Sequence, residues 1–205
     1  MTKIVALLVI ALTLTGCTHQ GSVGSVRATN IYSGHDQKIL GRATYTLDAT
    51  SLSKLKRDDS VSGFQCAAHR YPVDASEAFT GSVPHMLEAV FDADVQKSEI
   101  PQKGVTHFVF RVERFDPRLK FNRKFFGADA DATVELGVSV VGTIDGKRVF
   151  GTNVDSQRSK SGDAGGFCSG GGEVVSDATS AAIKDVLEKV GERLSNSQQL
   201  RSIKP

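Results

Sequence analysis

The dipeptide Asp145-Gly146 is the sequence feature that most constrains how this chain can fold. Residues 134–144 precede it and residues 147–154 follow it, and both segments are rich in Val and other strand-forming residues. Asp-Gly is typical of the two-residue type I′ turn, whose central residues need positive φ angles and whose twist matches two antiparallel strands. The sequence therefore predicts a β-hairpin here, and with it an antiparallel sheet.

Further strands and two helices are predicted around this hairpin. Residues 43–47, 61–71 and 105–115 have strand patterns, and Pro72 is expected to end the second of these strands. Asp74 and Glu77 match a capping box at the start of a helix, and residues 173–194 form a second, longer helix. The apolar stripe of the first helix consists of Phe79, Val83, Met86, Leu87, Val90 and Phe91.

The order of these elements, β-β-α-β-β-β-α, predicts an α+β fold. Each helix has a single apolar stripe, so each has one covered and one solvated face. We therefore expect a two-layer sandwich, in which two amphipathic helices cover one face of a mainly antiparallel sheet of four to five strands.

Composition excludes several classes of protein. The chain has 205 residues, of which 40% are hydrophobic, so wholesale disorder and a polytopic membrane protein are both excluded. Its 25 Lys and Arg against 23 Asp and Glu leave a net charge of +2, which argues against a nucleic-acid partner bound through bulk charge.

The N-terminus has the pattern of an export signal. Lys3 precedes an apolar run over residues 4–14, and about 11 residues are too few to span a bilayer, which needs roughly 20. The sequence Leu14-Thr15-Gly16-Cys17 then resembles the lipobox of bacterial lipoproteins. The alternative is an ordinary signal peptide followed by a chance cysteine.

The lipobox resemblance implies a chain held on a membrane by lipid. It implies cleavage before Cys17, a diacylglyceryl thioether on that cysteine and acylation, for example by palmitate, of the new amine. Thr18 implies delivery to the outer membrane, facing the periplasm. The expected organisation is a signal peptide at 1–16, a lipid anchor and flexible tether at 17–39, one α+β domain at 40–195 and a polar tail at 196–205.

The other two cysteines are predicted to form a disulfide. An exported chain enters an oxidising compartment, and Cys66 and Cys168 allow one intramolecular pairing, which would close a loop of about 100 residues. Two buried free thiols, a metal site or a catalytic thiol are the alternatives. Neither cysteine lies in a Cys-x-x-Cys pattern.

The sequence predicts no metal or other cofactor. Its five His share no i, i+4 spacing, and no Gly-x-Ser-x-Gly motif is present. Residues 162–172 are rich in Gly but lack the P-loop and dinucleotide-binding patterns, so we predict a flexible loop there rather than an anion site. We expect that the protein is not an enzyme, although a periplasmic enzyme stays open as a third function.

Residues 108–126 carry the densest cluster of candidate binding residues. They contain six of the eleven Phe and six basic residues. Pro117 is expected to break the strand, so that 118–126 forms an exposed loop suited to a protein partner or to an anionic glycolipid. A third interpretation places the Phe in the core and the cations on an ordinary solvated face. The predicted binding residues are Arg118, Lys120, Phe121, Arg123, Lys124 and Phe125.

In order and size of elements, residues 40–195 resemble the small α/β outer-membrane lipoproteins of Gram-negative bacteria, of which the lipopolysaccharide-assembly lipoprotein LptE is an example. That resemblance implies a non-enzymatic accessory or scaffold in cell-envelope assembly or transport, with an envelope protein as partner. A lipid- or glycan-binding module is the alternative function.

Overall fold

The computed structural model of the chain describes residues 17–61, 66 and 68–203. The predicted signal peptide, 1–16, and the first three lipobox residues lie outside this range. The strands are β1 (Ala43–Leu47), β2 (Lys56–Ser60), β3 (Arg70–Asp74), β4 (Val95–Lys97), β5 (Thr106–Arg123), β6 (Ala128–Ile144) and β7 (Lys147–Asp163). The α-helices are α1 (Ala49–Leu52), α2 (Ser76–Val90), α3 (Gly170–Ser195) and α4 (Gln198–Arg201).

The main sheet has five strands in the order β4-β1-β5-β6-β7. β5, β6 and β7 are antiparallel neighbours, whereas β1 runs parallel to both β4 and β5. β2 and β3 form a separate antiparallel pair. Helix α3 packs across β6 and β7, and α2 packs beside α3. The predicted α+β sandwich is confirmed, and β4 adds a short strand between α2 and β5.

The hairpin around Asp145-Gly146 is confirmed and is longer than predicted. Both turn residues have positive φ, 48° at Asp145 and 79° at Gly146. Pairing between β6 and β7 begins at Ile144 and Lys147 and continues as far as Asp129 and Asp163. The return strand therefore continues nine residues beyond the predicted end, 163 against 154.

The prediction that Pro117 breaks the strand is wrong. Pro117 is paired with Val134, and β5 continues to Arg123. The carbonyl of Phe115 accepts a hydrogen bond from Arg57 Nε at 3.3 Å, so the backbone groups of residue 115 point away from β6. Those of residue 117 point to the same side, because alternate residues of a strand do. The missing N–H of Pro117 therefore costs no ladder bond.

Two predictions about the start of α2 are also wrong. Pro72 does not end a strand but lies within β3, opposite Asp58, on a two-stranded ribbon where proline is tolerated. The capping box is not formed, because the cap position of α2 is Ala75. Asp74 Oδ1 instead accepts hydrogen bonds from the backbone N–H of Ser76 at 3.0 Å and from its hydroxyl at 2.5 Å.

The predicted helical stripes form the core. Phe79, Met86 and Leu87 of α2 are fully buried. Helix α3 begins at Gly170, within the stretch predicted to be loop. A Cβ atom on Gly171 would lie 2.6 Å from both Phe121 Cζ and Tyr71 Cε1, so the glycine permits close packing of the helix on the sheet.

The segments predicted as a tether and a polar tail both contact the domain. The N–H of Val26 donates to Ser82 Oγ at 2.8 Å, and the N–H of Asn30 donates to Glu188 Oε1 at 2.8 Å. In the tail, α4 buries Leu200. Residues 17–39 thus lie along α2 and α3 in this structure.

The continuation of β5 past Pro117 can be tested by truncating Phe121. Its ring is buried and packs 5.5 Å from the ring of Tyr71, centroid to centroid. We expect Phe121→Ala to lower the free energy of unfolding by about 3–5 kcal/mol. Lys120→Ala, at an exposed position on the same strand, should change it by less than about 0.5 kcal/mol. Urea denaturation measures both, and equal effects would restore the loop interpretation.

Candidate functional site

Cys17 lies on the surface beside the first residues of β3. It is exposed, and it is a free cysteine. Its carbonyl accepts a hydrogen bond from the N–H of Arg70 at 3.1 Å, and the N–H of His19 donates to the carbonyl of Arg70 at 2.8 Å. Thr18 and Arg70 form a parallel bridge. The first described residues are therefore held against β3, and the predicted lipid site has a defined place in the fold.

Two histidines, His19 and His69, lie beside the contact between Cys17 and Arg70. His19 Nε2 and His69 Nδ1 are 2.8 Å apart, and the two rings stack with centroids 4.9 Å apart. His19 also contacts the ring of Tyr71 at 5.6 Å. The sequence did not predict this pair, because 50 residues separate its members and no local spacing relates them. In the part of the chain that the structure describes, no group of three or more His, Cys, Asp or Glu could hold a metal ion.

The disulfide predicted between Cys66 and Cys168 is present, with Cα atoms 5.9 Å apart. The N–H of His69 donates to the carbonyl of Cys66 at 2.9 Å, and Tyr71 donates its hydroxyl to the carbonyl of Cys168 at 2.9 Å. Burial raises the pKa of Tyr71 to about 12, so this hydroxyl stays protonated at neutral pH. The disulfide thus joins the loop before α3 to the region of Cys17.

Three phenylalanines project from the same end of the molecule, and we call them the aromatic tip. Phe125 and Phe126 lie in the turn between β5 and β6 and are 95% and 86% exposed, and Phe167, before α3, is 89% exposed. The rings of Phe125 and Phe126 contact each other edge-to-face at 4.7 Å. Phe125 and Phe167 line one depression of about 380 Å³ together with both disulfide cysteines.

The backbone at Phe167 has an unfavourable conformation. Its φ is +53° and that of Cys168 is +64°, both in the left-handed region that residues with a Cβ rarely adopt. No burial compensates for this cost at Phe167, because its ring is exposed. Strain that packing does not explain is concentrated at functional sites in proteins.

The predicted binding residues separate into two groups. Phe121 is buried in the core, and Arg118 lies on the sheet face, where it contacts Asp116 at 2.5 Å and Glu135 at 3.4 Å. The residues brought together at the tip are Arg123, Lys124 and Phe125. Lys124 is paired with Asp129 at 2.5 Å, and this contact raises the pKa of the lysine. Lys120 is exposed between these groups, and binding by this set stays a prediction.

Two other depressions lie away from the tip. One, of about 580 Å³, is largely apolar and separates α1 from the start of α2. The other, of about 700 Å³, lies between β2 and β5 and is lined by five basic and four acidic side chains. Among the helices of the described residues, none has a stretch long and apolar enough to cross a membrane.

Comparison with known proteins gives structural likenesses only. No family model matches the sequence, and no curated protein matches it. A crystal structure from Xanthomonas campestris, described as a protein of DUF330, has 16% identity and a TM-score of 0.43 over 87% of this chain and 93% of its own. A minor lipoprotein from Acinetobacter baumannii has 13% identity and a TM-score of 0.40 over 75% and 90%. A hypothetical protein from Chlamydia trachomatis has 9% identity and a TM-score of 0.35 over 77% of this chain and 98% of its own.

The contribution of the disulfide can be measured directly. Replacing both Cys66 and Cys168 by Ser should lower the free energy of unfolding by about 4–5 kcal/mol, because the bridge joins residues 102 positions apart. With all three proteins produced as unlipidated chains that begin at residue 17, Cys17→Ala is the matched control, and we expect a change below about 0.5 kcal/mol at this exposed position. Urea denaturation without reductant compares the three proteins. A double variant as stable as the parent would show that other contacts already fix this loop.

Proposed function

We propose that this protein is a bacterial lipoprotein, held on the periplasmic face of the outer membrane by lipid on Cys17. The single observation that carries this proposal is the place of Cys17. It is exposed and unpaired on the surface, whereas Cys66 and Cys168 are joined to each other. A cysteine in that position can carry a bulky thioether without disturbing the core, and two or more acyl chains give stable anchoring.

Within the envelope, we propose a non-enzymatic role as an accessory or scaffold in assembly or transport, with an envelope protein as partner. The architecture supports this role in one respect. Among the strands of the described residues, β7 is at an edge of the main sheet and has a strand neighbour on one side only. Along its first half, Arg193 and Lys189 of α3 donate to the carbonyls of Asn153 and Asp155, which leaves the second half as the more accessible edge.

Fewer of the predicted residues are free to support the lipid- and glycan-binding alternative. The ion pairs of Arg118 and Lys124 satisfy much of the charge that an anionic headgroup would otherwise attract. What remains available on this side of the molecule is the apolar surface of the aromatic tip.

Lipidation is tested by the mass of the mature protein. Expressed as the full chain in a Gram-negative host, the parent should yield a membrane-bound product that begins at Cys17 and carries lipid. Cys17→Ala should accumulate as an unacylated precursor, because it lacks the thiol that accepts the lipid, whereas Thr18→Ala should still be processed. Mass spectrometry of the detergent-extracted protein reads all three. A mature parent with an unmodified Cys17 would overturn the proposal.

The partner is tested by charge reversal. We expect a four-site variant to retain the fold and lose most co-purification of a stoichiometric protein from detergent-solubilised membranes. It changes Arg118, Lys120, Arg123 and Lys124 to Glu. The matched control applies the same change at four exposed cations elsewhere in the domain, Arg42, Lys97, Lys103 and Lys147. Equal recovery from both variants would contradict binding through this surface, and glycolipid without protein would favour the alternative.

A further inference from the structure

We propose that the aromatic tip inserts into the interfacial region of the bilayer that holds Cys17, so that the domain stands on the membrane with this end down. The inference rests on the proposed function for the presence of the anchor, and it adds the surface by which the domain meets the lipid. The partner it names is a lipid surface.

The first observation is exposed apolar area concentrated at one place. Phe125, Phe126 and Phe167 each expose more than four-fifths of their surface, and Phe125 lies beside Phe126 and shares a depression with Phe167. The other large exposed apolar residues of the described chain, Tyr32, Leu40 and Ile100, belong to separate segments of the chain. Single exposed apolar residues are ordinary, whereas a cluster of aromatic rings marks an interaction surface.

The second observation is the position of Cys17 relative to this cluster. Cys17 is hydrogen-bonded to Arg70, the adjacent His69 to Cys66, and Cys66 is joined to Cys168, the residue after Phe167. Two hydrogen bonds, two peptide bonds and one disulfide therefore connect the predicted lipid site with the aromatic tip. Residues 17–39 also lie along α2 and α3 rather than extending away from the domain. A membrane that holds Cys17 is thus within reach of the tip.

The third observation is the strain at Phe167. A glycine would adopt its φ of +53° without cost, and a polar residue would avoid exposing an aromatic ring to water. Phe167 has the cost of the left-handed backbone and also exposes its ring to water. Insertion of the ring into lipid supplies the favourable burial that the folded protein alone does not provide.

Basic and acidic side chains both lie around the aromatic tip, as is typical of a surface at the membrane interface and not of a strongly cationic one. Arg123 and Lys124 are adjacent to Phe125, and long basic side chains beside aromatic rings reach the headgroup region while the rings enter the lipid. Asp129 pairs with Lys124, and Asp163 lies opposite Asp129 in the sheet. Because these carboxylates offset the cations, apolar insertion dominates, and contact with lipid should depend only weakly on salt concentration.

The chain has no Trp, so a single introduced Trp reports on its own surroundings. The lipidated mature protein, which begins at Cys17, is reconstituted into phosphatidylethanolamine–phosphatidylglycerol vesicles that contain brominated lipid. The variants compared are Phe126→Trp and Ile100→Trp. Ile100 is the matched control because it is 75% exposed and lies shortly before the start of β5, whereas Phe126 follows its end. We expect blue-shifted emission and quenching by bromine for Phe126→Trp, and neither for Ile100→Trp.

A second variant separates insertion from a structural role. Added to Phe126→Trp, the change Phe167→Gly should reduce quenching. It should also raise the melting temperature of the protein by about 2–4 °C, because glycine relieves the left-handed strain. If the ring of Phe167 instead stabilised the fold by packing, its removal would lower the melting temperature. Loss of contact together with a gain of stability is therefore the expected signature.

Each outcome bears on one proposal. Lipid on Cys17 with no quenching of Phe126→Trp would overturn membrane insertion and leave the lipoprotein assignment intact. An unmodified Cys17 would overturn the lipoprotein assignment whatever the fluorescence shows. Quenching that is equal for Phe126→Trp and Ile100→Trp would mean that the domain has no fixed orientation. A blue shift of Phe126→Trp that needs an added envelope protein and persists without bromine quenching would assign the tip to a protein partner instead.

Discussion

The long antiparallel register of β6 between β5 and β7 is the interaction on which the rest of the structure depends. Strand β6 has 17 residues, which extend over about 55 Å at an ordinary rise. Its inward side chains, from Ala130 to Val140, are buried on alternate positions beneath α3. The core of the domain and the distance between its two ends both follow from this pairing. The β5–β6 turn, which carries Phe125 and Phe126, lies at one end because the register places it there.

The sequence predicts the first half of this architecture and not the second, for a physical reason. Residues 134–154 alternate Val with polar residues around an Asp-Gly turn, and that pattern is a local signal. Beyond it, β6 alternates Ala with Asp, both of which are depleted in strands, and the residues of β7 paired with Val134 and Ala132 are the exposed Arg158 and Lys160. The strands continue there because each backbone group finds a partner in the neighbouring strand. The sequence predicts a break at Pro117 because it does not show that the backbone of this residue faces away from β6. A proline is tolerated in a strand at such a position, since no hydrogen bond to the neighbouring strand is lost.

The same limit applies to the candidate site. The disulfide was predictable from the number of cysteines, whereas the lipid site on Cys17 stays a prediction from a contiguous motif. Of the six Phe in residues 108–126, four are buried and the other two belong to the aromatic tip. Sequence alone does not separate them. A register shift between Val112 and Arg114 brings Phe115 and Phe121 onto the buried face, whereas Phe125 and Phe126 fall in the turn after the strand ends. Phe167 lies in a glycine-rich segment, where no pattern marks it as a binding residue. The contact of His19 with His69 joins residues 50 positions apart, so it forms only on folding.

The disulfide, the aromatic tip and Cys17 have a common physical basis. Cys66 and Cys168 both have positive φ angles, and so does Phe167, the residue directly before Cys168. A covalent bridge can hold a loop in such a conformation against its local preference, which a flexible glycine-rich loop by itself would not do. The bridge therefore does more than close a long loop: it fixes the direction in which Phe167 projects. The carbonyl of Cys66 accepts a hydrogen bond from His69, the neighbour of the residue that binds Cys17, so the bridge connects the loop of Phe167 with the place of the proposed lipid anchor.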